Sequence, residues 1–384
     1  MTKRHHAAGQ PRTSSRRALL KTLAASGLAA SGLAAPAALP GGLTLLAAAP
    51  GDPAKDQPFF LTRGLVLVAQ DLRTLDWPAR AKRAGLTTIA THIFPREVAD
   101  FLRTDAGRAF LDACRKLGLQ VEHELHAMSD LLPRSLFAKD PAMFPMNEKG
   151  DRVRDYNLCV HSENALEIAC ANAVKYAGLL RPTTGRYFYW LDDGQPMCRC
   201  GKCRGLSDSD QALILENRML AALRQADPRA TLPHLAYART IRPPAQVKPS
   251  PGVFLEFAPI TRRYDRPLGD RAARPAGGPS HGELLDLLDA NLGVFGRQGA
   301  QALEYWLDLS RFSGWRRENV RKLPWNREVF LDDLATYGGR GLRHLTSFGV
   351  WLDGDYVKRF GEPPLDEYAR GMLDWRPKGS SAAN

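Results

Sequence analysis

The stretch "LQVEHELHA" (residues 119–127) alternates residue by residue. A period of two sets Gln120, Glu122, Glu124 and His126 on one face of a strand and Val121, His123 and Leu125 on the other. Two carboxylates and an imidazole therefore share a face. On a solvated edge strand that face would meet water, whereas in a closed barrel it points inward. The rest of the chain decides between the two. Seven further β-rich runs are "GLVLVAQD" (64–71), "LTTIATHIF" (86–94), "RYFYWLDD" (186–193), "TLPHLAYA" (231–238), "GVFLEFAP" (252–259), "AQALEYWLD" (300–308) and "LRHLTSFGVWLD" (342–353). Helical patterns lie between them, among them "SENALEIACANAVKYAGLL", "DSDQALILENRMLAALRQADP" and "GELLDLLDANLGVFG", several of them running into the Gly that a helix C-cap prefers. Eight strands, each followed by a helix or helix-like connection, predict an α/β fold of the (β/α)8 TIM-barrel type. A doubly wound open sheet is the alternative. The first run, however, leads into "QDLRTLDW" with no glycine-rich phosphate loop, so no nucleotide cofactor is expected.

The chain opens differently. In "SSRRALLKTLAASGLAASGLAAPAALP" (14–40), Arg16 and Arg17 precede a mildly apolar Ala/Gly/Leu-rich stretch ending in small residues, the pattern of a twin-arginine export signal. Residues 1–50 read as that signal and a leader, and 51–384 as one barrel domain. The expected partner is the twin-arginine export machinery and the expected location the periplasm or the cell exterior. "AAPAALP" and "LLAAAP" both offer cleavage sites, with an uncleaved anchor as the alternative. Six of the formal +12 charges lie in the signal, leaving about +6 on the remainder. Basic residues interleaved with aromatics are missing, so the basic balance gives a nucleic-acid partner no support. No second apolar stretch approaches the ~20 residues of a membrane span, and the 44% hydrophobic content is ordinary for a soluble globular chain.

In a barrel, function belongs at the C-terminal ends of the strands, and unusual polar residues gather there. The fourth run ends in Asp192-Asp193, the sixth places Glu256 between Phe254 and Ala258, and the eighth closes with Trp351 and Asp353. In the seventh run the period of two aligns Glu304, Trp306 and Asp308. Carboxylates flanked by tryptophans suit sugars, because an aromatic face covers the apolar side of a pyranose while carboxylates accept its hydroxyls. Cleaving a glycosidic bond takes two of the acids, about 5 Å apart for retention and farther for inversion. Core packing is the competing account of each tryptophan. His92, at the end of the second run, is either a substrate contact or a core histidine, and Arg316 and Arg317 beside Trp315 either solvate a loop or meet an acidic sugar.

The order "NLCVHSENALEIACANAV", "YFYWLDDGQPMCRCGKC", "ENRMLAALRQADP", "LPHLAYARTIRPP" and "ALEYWLDLSRF" resembles a family of uncharacterised exported bacterial domains of unknown function, found alongside carbohydrate-active enzymes. Those domains resemble the barrels of β-hexosaminidase-like and α-glucuronidase-like glycoside hydrolases. The resemblance runs from about residue 64 to 375 and is most specific at the acidic strand end joined to C-x-C-x-x-C. It implies that Asp193 is the general acid and Asp192 its orienting partner, although the hexosaminidase-like strand ends in Asp-Glu and aspartate is one methylene shorter. Glu304 is then the second catalytic or substrate-binding carboxylate, with Glu122, Glu124, His126, Tyr237, Glu256, Trp306, Asp308 and Trp351 toward an oligo- or polysaccharide.

Cys114 and Cys170 fall among apolar residues of helical patterns and read as buried thiols. Cys159, Cys198, Cys200 and Cys203 remain, the number a closed tetrahedral zinc site uses, with His161 as a substitute ligand. Disulfides are the rival in an exported protein; thioredoxin-like and iron–sulfur roles rank below both. Either leading reading makes the cluster a clamp beside Asp192-Asp193. The functional expectation is a glycoside hydrolase, with a non-catalytic glycan-binding barrel and a zinc or redox protein as alternatives.

Overall fold

The structure is a computed structural model and describes residues 57–377; the stretch read as an export signal lies outside the described residues. The described residues contain eight strands, β1 (Thr62–Val68), β2 (Thr88–His92), β3 (Gln120–His126), β4 (Phe188–Trp190), β5 (Leu232–Ala236), β6 (Val253–Phe257), β7 (Gln301–Glu304) and β8 (His344–Phe348). Every pair is parallel, and the neighbour order β4-β3-β2-β1-β8-β7-β6-β5 runs through a β1–β8 pairing. The remaining seam is closed by backbone bonds from Tyr187 N–H to Thr231 C=O (2.9 Å) and from Thr231 N–H to Gly185 C=O (3.0 Å). The result is a (β/α)8 barrel, in which closure leaves no strand edge unpaired.

Alternation along the strands builds two apolar layers. Leu65, Leu67, Ile89, Leu255, Phe257 and Leu345 face outward and pack with Trp77, Leu284, Phe330 and Tyr368 of the surrounding helices. Val66, Ala90, Phe188, Trp190, Phe254, Leu303 and Phe348 fill the interior. Helices Glu163–Leu179, Asp208–Ala226, His281–Phe295 and Arg327–Gly339 begin at Ser162, Ser207, Ser280 and Asn326, whose side chains each accept from a backbone N–H of the first turn. No helix among the described residues is long and apolar enough to cross a membrane.

Two features depart from the sequence reading. The connection from β5 to β6 holds no α-helix, only the 3-10 turn Ala238–Thr240. Pro243, Pro244, Pro249 and Pro251 remove the N–H donors that a helix would need there. The strands are also shorter than the β-rich runs: β7 stops at Glu304, and Asp308 N–H already closes a turn onto Tyr305 C=O (3.2 Å). A period of two carried through residue 308 therefore misplaces its last member, Asp308.

Candidate active site at the mouth of the barrel

The lower barrel interior is polar. Glu122, Glu124 and Glu256 face inward, as does Gln301, whose amide donates to Glu256 Oε1 (2.9 Å), Glu124 Oε1 (3.2 Å) and Thr346 Oγ1 (3.2 Å). The Arg186 guanidinium donates to Gln301 Oε1 at 2.8 Å, lies 3.6 Å from Glu122 and packs over the Phe254 ring at 4.4 Å. Trp190 Nε1–H donates to Glu256 Oε2 at 2.7 Å. One cation among three buried carboxylates leaves proton uptake as the cheaper way to remove charge. Burial pushes Glu256 up to about 8, and burial together with Glu256 and Glu122 holds Glu124 well above the usual carboxylate range. These three glutamates are under 2% exposed and form a layer beneath the site, not its wall.

Above them a cavity of about 700 Å³, counting its open mouth, is lined by His92, His126, Trp190, Asp193, Tyr237, Tyr305, Asp308 and Trp315. A second lobe, of about 480 Å³ counting the open space at its mouth, shares His126, Trp190, Asp193 and Tyr237 and extends to Asp192 and Arg239. The walls come from the segments after β2, β3, β4, β5, β7 and β8, at the C-terminal face where barrel enzymes carry their chemistry.

Asp192 and Asp193 divide the work of their turn. Asp192 Oδ2 accepts from Arg134 (2.6 Å) and from Asn157 N–H (2.5 Å), while Asp192 N–H donates to Asn157 Oδ1 (3.0 Å). Its carboxylate is committed to the loop. Gly194 follows at φ +61°, a left-handed value that glycine adopts without a Cβ penalty, and the turn leaves Asp193 facing both lobes alongside Tyr237. Asp308 reaches the cavity from the segment after β7. Its Oδ1 accepts from Ser310 N–H (3.0 Å) and Ser310 Oγ–H (2.5 Å), and burial raises its proton affinity against those donors. His92 donates from Nδ1 to Glu124 C=O (2.6 Å); burial, aided by His126, pushes it down to about 3 and keeps it neutral.

Glu304 does not reach this cavity. Inward positions on β7 are Gln301 and Leu303, followed by Tyr305, so Glu304 and Trp306 point out beneath the helices. Glu304 Oε1 accepts from Tyr337 Oη–H (2.5 Å) and pairs with Arg262 (3.1 Å), which also pairs with Asp333. Trp306 Nε1–H donates to Asp333 Oδ2 at 2.8 Å. The assignment of Glu304 and Trp306 to a substrate site is thus corrected: both belong to a buried network outside the barrel. Trp351 sits half-buried at the rim, its N–H donating to Asp71 Oδ2 (2.7 Å), and is not among the cavity's lining residues. Of the residues read from the sequence, the structure brings His92, His126, Asp193, Tyr237 and Asp308 together in one cavity, with Asp192 in its second lobe. Trp190 and Tyr305 were missed; continuing the interior face from Gln301 through Leu303 would have marked Tyr305. Trp315, 67% exposed, joins the wall through a loop that no strand pattern places.

The four cysteines converge beside this turn. Their sulfurs lie within 4.8 Å of one another, with Cys159 Sγ 3.8 Å from those of Cys200 and Cys203.

A family model described as a domain of unknown function (DUF4838) matches residues 71–276. No curated protein matches the sequence. Among solved structures the chain is similar to a beta-N-acetylhexosaminidase from Bacteroides fragilis NCTC 9343, at 11% identity and TM-score 0.48 over 85% of this chain and 68% of that one. It is also similar to a family 5 xyloglucanase from Paenibacillus pabuli, at 10% identity and TM-score 0.46 over 77% and 89% of the two chains. A glycoside hydrolase family 5 enzyme from Prevotella bryantii B14 matches at 10% identity and TM-score 0.44 over 82% and 95%.

Proposed function

The chain belongs to the DUF4838 family, a family of unknown function, and from that premise we propose that it is an exported enzyme that hydrolyses O-glycosidic bonds of an oligo- or polysaccharide. One observation carries the reading: Asp193 and Asp308, from the segments after two different strands, line the same aromatic-walled cavity. Glycoside hydrolysis needs two carboxyl groups flanking one bond. Asp193 is assigned the proton transfer to the leaving oxygen, with Tyr237 beside it in the cavity wall. Asp308, held by Ser310, faces the positive charge that develops on the sugar ring. Trp190, Tyr305 and the exposed Trp315 supply faces for the apolar sides of pyranose rings. Asp192 keeps the turn in place through Arg134 and Asn157. The Arg16-Arg17 segment supports export by the twin-arginine route to the periplasm or beyond the cell.

The test is turnover by the chain from about residue 51 on a panel of aryl glycosides and bacterial, plant and host polysaccharides. Release of sugar by the native chain and none by Asp193→Asn is the expected result. Sugar binding without release from any substrate would replace hydrolysis with glycan recognition.

A further inference from the structure

The cysteine cluster is a second constellation, which the reaction does not use. Cys159 lies in the β3–β4 connection, just ahead of helix Glu163–Leu179; Cys198, Cys200 and Cys203 lie between β4 and helix Asp208–Ala226. All four are buried. Residues far apart in the chain have therefore brought four sulfurs to one point, and the backbone around them is fixed. The N–H groups of Cys203 and Arg204 both bond to Cys200 C=O (2.9 Å each), a turn that sets Cys200 and Cys203 on one side. Cys198 is held by the buried Gln211 amide, which accepts its N–H (3.1 Å) and donates to its C=O (3.1 Å).

The spacing has a chemical meaning. A tetrahedral zinc–thiolate centre has Zn–S bonds of about 2.3 Å, which places its sulfurs about 3.8 Å apart. The Cys159–Cys200 and Cys159–Cys203 separations are both 3.8 Å. A disulfide would need its sulfurs at about 2.05 Å. A multinuclear iron–sulfur cluster, being wider than a single ion, would have to drive apart sulfurs that all lie within 4.8 Å. The surroundings also suit anionic sulfur. Met146 N–H points to Cys198 Sγ (3.3 Å), His161 Nδ1 lies 3.2 Å from Cys203 Sγ, and the Arg152 guanidinium lies 3.7 Å from Cys198 Sγ. Donors and a cation around the sulfurs are the outer partners that thiolates of a metal centre require.

We propose that Cys159, Cys198, Cys200 and Cys203 bind a single Zn²⁺ ion as a closed four-thiolate site that locks the two segments carrying Asn157 and Asp192 together. His161, within reach of sulfur and not at a vertex of its own, is an outer hydrogen-bond partner and not a ligand. The mechanical link is short. Asn157, two residues before Cys159, donates from its amide to the carbonyls of Gln195 (3.3 Å) and Pro196 (3.2 Å) and from its backbone to Asp192. Pro196 in turn lies two residues before Cys198. A closed coordination shell leaves no open position on the ion, which makes the centre structural and not catalytic.

The experiment measures metal content and does not depend on any hydrolytic activity. The whole chain from about residue 51, purified without chelator, is analysed by native mass spectrometry and elemental analysis, then reloaded with Co²⁺ after zinc removal under reducing conditions. The expected results are one zinc per chain and, for the cobalt form, the visible bands of a tetrahedral ion with intense thiolate-to-cobalt charge transfer. A Cys200→Ser/Cys203→Ser variant loses the ion, whereas Cys114→Ser/Cys170→Ser keeps it. Substoichiometric metal in the native protein, a cobalt spectrum without thiolate bands, or disulfides joining these cysteines would overturn the proposal. So would full zinc retention by the Cys200→Ser/Cys203→Ser variant.

Discussion

Asp193 and Glu304 are both acidic residues at or just past the end of a barrel strand, and they differ in which way the backbone turns them. Asp193 follows a strand whose inward positions are Phe188 and Trp190 and is carried over the cavity by the turn at Gly194. Glu304 occupies an outward position and meets Arg262, with which it is fully buried. The Arg262 guanidinium compensates two carboxylates, Glu304 and Asp333, in a place water does not reach. Removing the cation from such a group costs about 3–5 kcal/mol, because the remaining charges stay buried. Arg262→Met is expected to lower the unfolding free energy by that amount in a urea titration, and a loss below about 1 kcal/mol would show that the network is not holding charge. The sequence showed the acids at strand ends but not their direction. The directions of Glu122, Glu124 and His126 were legible because β3 is seven residues long and alternates throughout. β7 is only four residues long: its alternation keeps Glu304 and Trp306 together on the outward face, and the turn after Tyr305 brings Asp308 out of phase into the cavity.

At the scale of elements, the β5–β6 connection shows how a segment without helix is kept in place. Asp210, in the first turn of helix Asp208–Ala226, closes a capping box with Ser207 through Oδ2. Its Oδ1 accepts three backbone N–H groups of the proline-rich connection, from Ala245 (3.1 Å), Gln246 (2.8 Å) and Val247 (2.8 Å). Against burial, the Ser207 hydroxyl and the Val247 and Gln246 N–H groups hold its proton affinity below the usual carboxylate value. Ser207→Ala removes one cap and is expected to cost about 1 kcal/mol, while Asp210→Ala strips both functions and is expected to cost at least about 2 kcal/mol by chemical denaturation. Equal losses would mean that the connection does not depend on Asp210. The eight strands and their order were legible from β-rich runs and helix caps, since both follow from local chemistry. The pairing of Asp210 with residues 245–247 was not, because it joins positions some 35 residues apart.

For the whole molecule, the buried interior sets how stability varies with pH. Between about pH 4.5 and 8 the folded chain keeps a proton on Glu256 that the unfolded chain has released, and Asp71, raised by burial to about 7, behaves alike. A folded state that binds more protons loses stability as pH rises. Histidines act oppositely: burial lowers His92 to about 3 and His123 to about 4, so acidification below about 6.5 favours the unfolded chain. The two slopes oppose each other between about pH 4.5 and 6.5, and above that window only the carboxylates act. The melting temperature is therefore expected to fall from pH 6.5 to 8, and Glu256→Gln to flatten that fall; an unchanged slope in the variant would place the effect elsewhere. The same barrel that buries these acids presents Asp193 to the solvent side, and the functional account stands on that contrast. Its most direct test is kcat/KM on a cleaved glycoside for Asp193→Asn and Glu304→Gln side by side, each corrected for folded fraction. The account expects Asp193→Asn to lose at least about 100-fold, with Glu304→Gln staying in the same order of magnitude as the native chain. Retained turnover in Asp193→Asn, or an equal loss in a folded Glu304→Gln, would contradict it.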